Sequence, residues 1–150
     1  MSVAQEAVFE VQQLIERYML GIDYDEITEE WARSLFSVDV EIVYPVSRHR
    51  GLDGLVKFQT SSLGLWAATH HIVTNPIVEV VAERASIRAN LLSVHIPKAV
   101  DKILKSPNHY SGTYMTGNAA RTRDGWRLTH LTFDQVWQSN KPDIVIPTRD

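Results

Sequence analysis

The chain has 150 residues, which fits one domain and leaves little for a second. Hydrophobic residues make up 44% and the formal net charge is -3, which excludes a disordered chain and gives no reason to expect a nucleic-acid or anionic-membrane partner. There is no cysteine, so disulfides, zinc–thiolate sites and thiol nucleophiles are excluded.

The first segment predicts a helix. Ser2 with Gln5 three residues on forms a capping pattern. Ala4, Ala7, Val8, Val11, Leu14, Ile15, Tyr18 and Met19 then make one stripe at 3–4 spacing, and Gly21 reads as the stop. Met1 to Gln13 holds Glu6 and Glu10 and no basic, uniformly apolar stretch. It does not read as a secretory leader, no run is long enough to span a membrane, and the compartment expected is the cytoplasm. A second short helix is predicted from Thr28, with Glu29 and Glu30 where the dipole favours them and Trp31, Leu35 and Phe36 as its buried face.

Val38 to Tyr44 alternates as a strand, with Val38, Val40, Ile42 and Tyr44 on one face and Asp39 and Glu41 on the other. Arg48-His49-Arg50, the densest basic cluster, reads as a solvated loop. A third helix is predicted over 53–65, and antiparallel strands near 70–81, 84–96, 109–123 and 126–138, turning at Glu83-Arg84 and at Asp124-Gly125. Pro97 to Asn108 is a long connection with Lys98, Lys102 and Lys105, expected to be partly helical. Residues 1–138 form the predicted domain. Residues 139–150 form a tail whose Ile144-Val145-Ile146 is expected to pack on the body or on a neighbouring subunit. Three helices followed by a meander predict an α+β domain, a curved sheet folded around a helix with an apolar pocket between.

Six histidines are present. In the strand 87–95, Ile87, Ala89, Leu91, Ser93 and His95 share the more apolar face, so alternation turns His95 inward. Tyr44 shares a face with Val40 and Ile42 in the same way. Both present a polar group to an apolar cavity, the usual form of a small-molecule site; a buried Tyr and His satisfied locally fits the pattern equally well. His70 and His71 are adjacent, so at most one enters the cavity, and periodicity does not choose. Asp23 follows the first helix, where an aspartate is usually a cap. No His-Glu-x-x-His, phosphate-cradling glycine loop or nucleophile elbow occurs, so metal, nucleotide and serine chemistry have no motif.

The layout resembles the SnoaL-like branch of the nuclear-transport-factor-2-like (NTF2-like) superfamily over roughly residues 5 to 138. The markers are Arg17-Tyr18…Gly21-Ile22-Asp23, Leu35-Phe36…Asp39-Val40, Thr69-His70-His71-Ile72-Val73-Thr74-Asn75 and Arg123-Asp124-Gly125-Trp126-Arg127. The histidine segment is similar to the strand that carries the catalytic histidine in scytalone dehydratase, hexachlorocyclohexane dehydrochlorinase and bile acid 7α-dehydratase. The resemblance implies an NTF2-like cone, with a mixed, mainly antiparallel sheet wrapped around a long N-terminal helix and two further helices beside it.

It also implies a cofactor-independent lyase of dehydratase type, acting on a small cyclic or aromatic molecule, with isomerase, cyclase, carbon–carbon lyase and non-catalytic binding members as alternatives. His71 would be the general base, Asp23 its partner, Tyr44 the polarising donor and His95 the acid. Tyr18, Ile22, Trp66, Leu91, Tyr114 and Thr116 would surround the substrate. Ile22 stands where scytalone dehydratase has a second tyrosine, and the serine and asparagine of its fourth strand have no clear match, with Tyr114 and Thr116 nearby. A homodimer or homotrimer is implied, with no metal, nucleic acid or membrane partner.

Overall fold

The computed structural model describes residues 1–24, 26–99 and 107–140. The first helix, α1 (Val3–Asp23), starts as the sequence predicts. Ser2 Oγ accepts the Gln5 N–H and the Gln5 side chain accepts the Ser2 N–H. Its stripe buries Val11, Leu14, Ile15, Tyr18, Met19 and Ile22. Gly21 does not stop it. A Cβ there would lie 2.2 Å from Trp31 Nε1, so the glycine serves close packing and the helix runs on to Asp23. Helix α2 (Glu29–Leu35) is capped by Thr28, whose hydroxyl accepts the Trp31 N–H. Phe36, read as part of its buried face, is buried but begins the next strand.

That strand, β1 (Phe36–Val43), departs from strict alternation. Val40 and Ile42 are buried, but Val38 is 79% exposed. The register against the last strand shifts between Phe36 and Glu41, and such an irregularity re-aims the side chains on one side of it. Arg48–Arg50 is a short strand, β2, and not a loop. It pairs antiparallel with β1, and both arginines reach Glu41, at 3.5 and 2.7 Å. Helix α3 (Leu55–Leu63) is shorter than predicted, because Gly54 before it sits in the left-handed region at φ +73°.

Four long strands follow close to their predicted places: β3 (Trp66–Val81), β4 (Arg84–Pro97), β5 (His109–Thr122) and β6 (Gly125–Ser139). The sheet order is β2-β1-β6-β5-β4-β3, antiparallel throughout except for β1 on β6. Register shifts in β3–β4 and β5–β6 bend the long strands, and the curved sheet closes over α1, which packs on β3 and β6. Alternation along β4 buries Ala85, Ile87, Ala89, Leu91 and Ser93 against it. Most of the 97–108 connection and of the 139–150 tail, with Ile144-Val145-Ile146, lies outside the described residues. Among the described residues no helix is long and apolar enough to cross a membrane.

Candidate functional site

Between α1, α3 and the concave face of the sheet lies a cavity of about 480 Å³, in the range of small-molecule sites. Asp23, the last residue of α1 because the helix runs on past Gly21, meets His71 of β3, which lines this cavity. One carboxylate oxygen, Oδ1, lies 2.6 Å from His71 Nδ1 and accepts the Thr69 hydroxyl at 2.9 Å; Oδ2 accepts the His71 backbone N–H at 2.7 Å. Both side chains are 8% exposed. Burial alone would push the Asp23 carboxyl up. The hydrogen bonds from the His71 side chain and backbone, the His71 charge and the Thr69 hydroxyl outweigh it, so the pKa sits below the ordinary value. With Nδ1–H donated to Asp23, the imidazole keeps Nε2 as its free lone pair, and His71 lines the cavity. His70, on the other face of β3, is exposed.

His95 enters from β4. Its ring stands edge-on to His71 with centroids 5.4 Å apart and meets Trp66 at 4.7 Å. Burial, with the neighbouring His71 and His109, pushes its pKa down to about 4, so it is neutral at neutral pH. Tyr44 faces the cavity with its ring stacked flat on Phe133, centroids 5.0 Å apart. Its hydroxyl hydrogen-bonds that of Tyr18, and burial raises the pKa of both phenols.

Tyr18, Ile22, Trp66 and Leu91 also line the cavity. Tyr114 and Thr116 do not. Both point to the outer face of β5, Tyr114 at 59% exposure, while Ser111 and Thr113, with His109 before them, are the strand's inward polar groups. Parity within β5 carries this signal, since Met115, Gly117 and Ala119 form its small, apolar face. Two further groups escape the sequence reading. Gln59 is buried, and its place four residues after Leu55 and four before Leu63 is the helical spacing that marks it. His109 is buried beside Trp66 and His95, with Nε2 3.2 Å from Gln138 Oε1. Among the described residues no cluster of three or more histidine and carboxylate side chains has the arrangement of a metal site.

A curved mixed sheet closed over a long helix, with a hydrogen-bonded His–Asp pair at the end of that helix, defines a cone-shaped α+β domain of the NTF2-like kind. The chain belongs to the SnoaL-like domain family, whose model matches residues 4–132. It is similar to a protein of Kribbella flavida, at 25% identity over 91% of this chain and 95% of that one, with a TM-score of 0.84. The fold is shared with the hexachlorocyclohexane dehydrochlorinase LinA-type3 of Novosphingobium barchaimii LL02, at 18% identity, 92% of each chain and a TM-score of 0.74. It is shared too with an NTF2-like superfamily protein of Salmonella enterica, at 17% identity, 84% and 88% coverage and a TM-score of 0.72. A comparison with curated proteins finds no sequence match.

Proposed function

We propose that this protein is a cofactor-independent lyase that eliminates water, or a comparable small group, from a small cyclic or aromatic molecule. The observation that carries the reading is the doubly held His71–Asp23 pair: one carboxylate takes both the ring Nδ1–H and the backbone N–H of the same histidine. That fixes both the tautomer and the ring, and leaves a base at the cavity wall. His71 Nε2 removes a proton from a carbon next to a carbonyl. The C–H electrons become the new double bond, the bond to the leaving oxygen breaks, and that oxygen departs as water.

The second proton comes from the imidazolium that His71 has become, stabilised by Asp23. His95 is too weakly basic to be a charged acid at neutral pH, so its part is that of a neutral hydrogen-bond donor. Tyr44 donates to the carbonyl oxygen as charge collects there. The shared fold with a dehydrochlorinase, an elimination catalyst by its name, supports this class without choosing the leaving group.

Cyclic and aromatic β-hydroxy carbonyl compounds, screened by absorbance of a conjugated product and by mass, test the reading. Loss of one water is expected; a product of unchanged mass would make the reaction an isomerisation or cyclisation instead. His71→Ala should leave the fold intact and nearly abolish turnover. If it turns over at a near-normal rate, the base is elsewhere. The assembly proposed with this activity is a homodimer or homotrimer. Ile72, Leu92 and Trp137 stand in one register row on the outer sheet face, each at least a third exposed, and are the surface a second copy would cover. Sedimentation at the monomer mass would remove that part.

A further inference from the structure

The mechanism uses Tyr44 but not the two groups that hold its hydroxyl. Gln59 is 4% exposed and Tyr18 1%, and both line the cavity. The Gln59 amide nitrogen lies 2.8 Å from the Tyr18 hydroxyl and 2.7 Å from the Tyr44 hydroxyl, and the two phenols hydrogen-bond each other. Three contacts therefore join three groups. With the amide nitrogen facing the phenols, two N–H and one O–H supply a proton for each contact. With the amide oxygen there, the two phenolic protons would have to serve all three.

Counting protons then decides what the cluster offers a ligand. An amide nitrogen only donates, so the acceptors inside the cluster are the two phenol oxygens. One phenol donates to the other. The remaining O–H has no acceptor within the cluster. Tyr18 lines the cavity with almost no exposed surface, its ring packed on Trp31 and Phe36, whereas Tyr44 is only half-buried and stands stacked on Phe133 at the cavity wall. The unspent proton is therefore that of Tyr44.

We infer that Gln59 and Tyr18 are positioning residues that make the Tyr44 hydroxyl a one-way hydrogen-bond donor, so that this end of the cavity selects a carbonyl, enolate or phenolate oxygen. The inference rests on the proton-transfer reading of the cavity and names the oxygen its substrate must carry. Burial keeps both phenols protonated at neutral pH, so the donor is present whenever the ligand arrives. An oxygen that gains negative charge draws most from it, because hydrogen bonds to charged groups are the stronger ones.

The test is an equilibrium titration and needs no turnover, so it stands or falls apart from the activity of His71. The probe is 2,4-dinitrophenol, which stays ionised from mildly acidic to alkaline solution. 2,4-Dinitrotoluene, with a methyl group in place of the oxygen, is its neutral control. Wild-type protein should bind the phenolate, and Tyr44→Phe should weaken that binding about tenfold or more. Gln59→Glu should do the same at neutral pH, because a carboxylate consumes the unspent proton. Its affinity relative to wild type should recover as the pH falls and the introduced carboxyl takes a proton and can donate again. A merely structural role for Gln59 would give no such recovery. Dinitrotoluene should bind all three proteins alike. The inference is overturned if wild type does not bind the phenolate, if both variants bind it as tightly as wild type, or if the loss is equal for the two probes.

Discussion

Asp23 accepts from three donors with two oxygens, the Thr69 hydroxyl, the His71 N–H and His71 Nδ1–H. Asp23→Asn keeps the shape but replaces one acceptor with an NH₂ group, so at least one of those donors loses its partner. Unfolding in denaturant should show a loss of about 1–3 kcal/mol, the cost of an unpaired buried group. Turnover should fall further than stability accounts for, because an amide facing Nδ1 favours the wrong tautomer. His71→Ala combined with Asp23→Asn should be little slower than the slower single variant, since the two act as one unit; rates that multiply would show independent roles. Alternation alone makes Tyr44 and His95 legible, because a strand's parity is a local property. The His71–Asp23 pair joins residues 48 positions apart. No periodicity encodes such a contact, and only the family resemblance singles it out. The same resemblance misplaces Tyr114 and Thr116, where the strand's own parity is the better guide.

The elements show where local rules give way to packing. Capping residues mark the starts of α1 and α2, because caps act within four residues. The end of α1 is hidden, because a helix-stopping glycine and a glycine under a tryptophan look alike in sequence. Trp31 is held between Tyr18 and Phe36, with ring centroids 5.9 and 5.8 Å away, and covers Gly21. Gly21→Ala therefore has two opposed effects. Helix propensity favours alanine by about 1 kcal/mol. A Cβ 2.2 Å from Trp31 Nε1 forces the indole off its packing partners, and overpacking of this kind costs about 1–3 kcal/mol. Destabilisation should win. A higher thermal midpoint for Gly21→Ala would show that Trp31 moves aside freely. In β1 the exposed Val38 makes the same point, since alternation holds only while the ladder stays in register.

At the scale of the whole molecule, the buried titratable groups set how stability depends on pH. His95 has an ordinary value of 6.5 and a folded value of about 4. Between those values the unfolded chain binds a proton that the folded chain refuses, so stability falls as the pH is lowered through that window and is unaffected above it. The slope for one such group is at most about 1.4 kcal/mol per pH unit. Asp23 acts in a lower window. Its folded pKa lies below 3.8, so the stability its hydrogen bonds supply is full above that value and is lost as the pH falls past it. Acid should therefore weaken the protein in two successive stages with different owners. His95→Phe separates them. The His95 Nδ1 atom is buried with no hydrogen-bond partner among the described residues, so a carbon there forfeits no bond, and a phenyl ring preserves the contacts with Trp66 and His71. Thermal midpoints of this variant should be nearly flat from pH 6.5 to 4, where wild type declines, and should still drop below 3.8. Asp23→Asn should show the reverse, keeping the upper decline and losing the lower one. A decline between pH 6.5 and 4 as steep in His95→Phe as in wild type would mean that His95 titrates in the folded protein as it does in water, and that it is free to act as a charged acid after all.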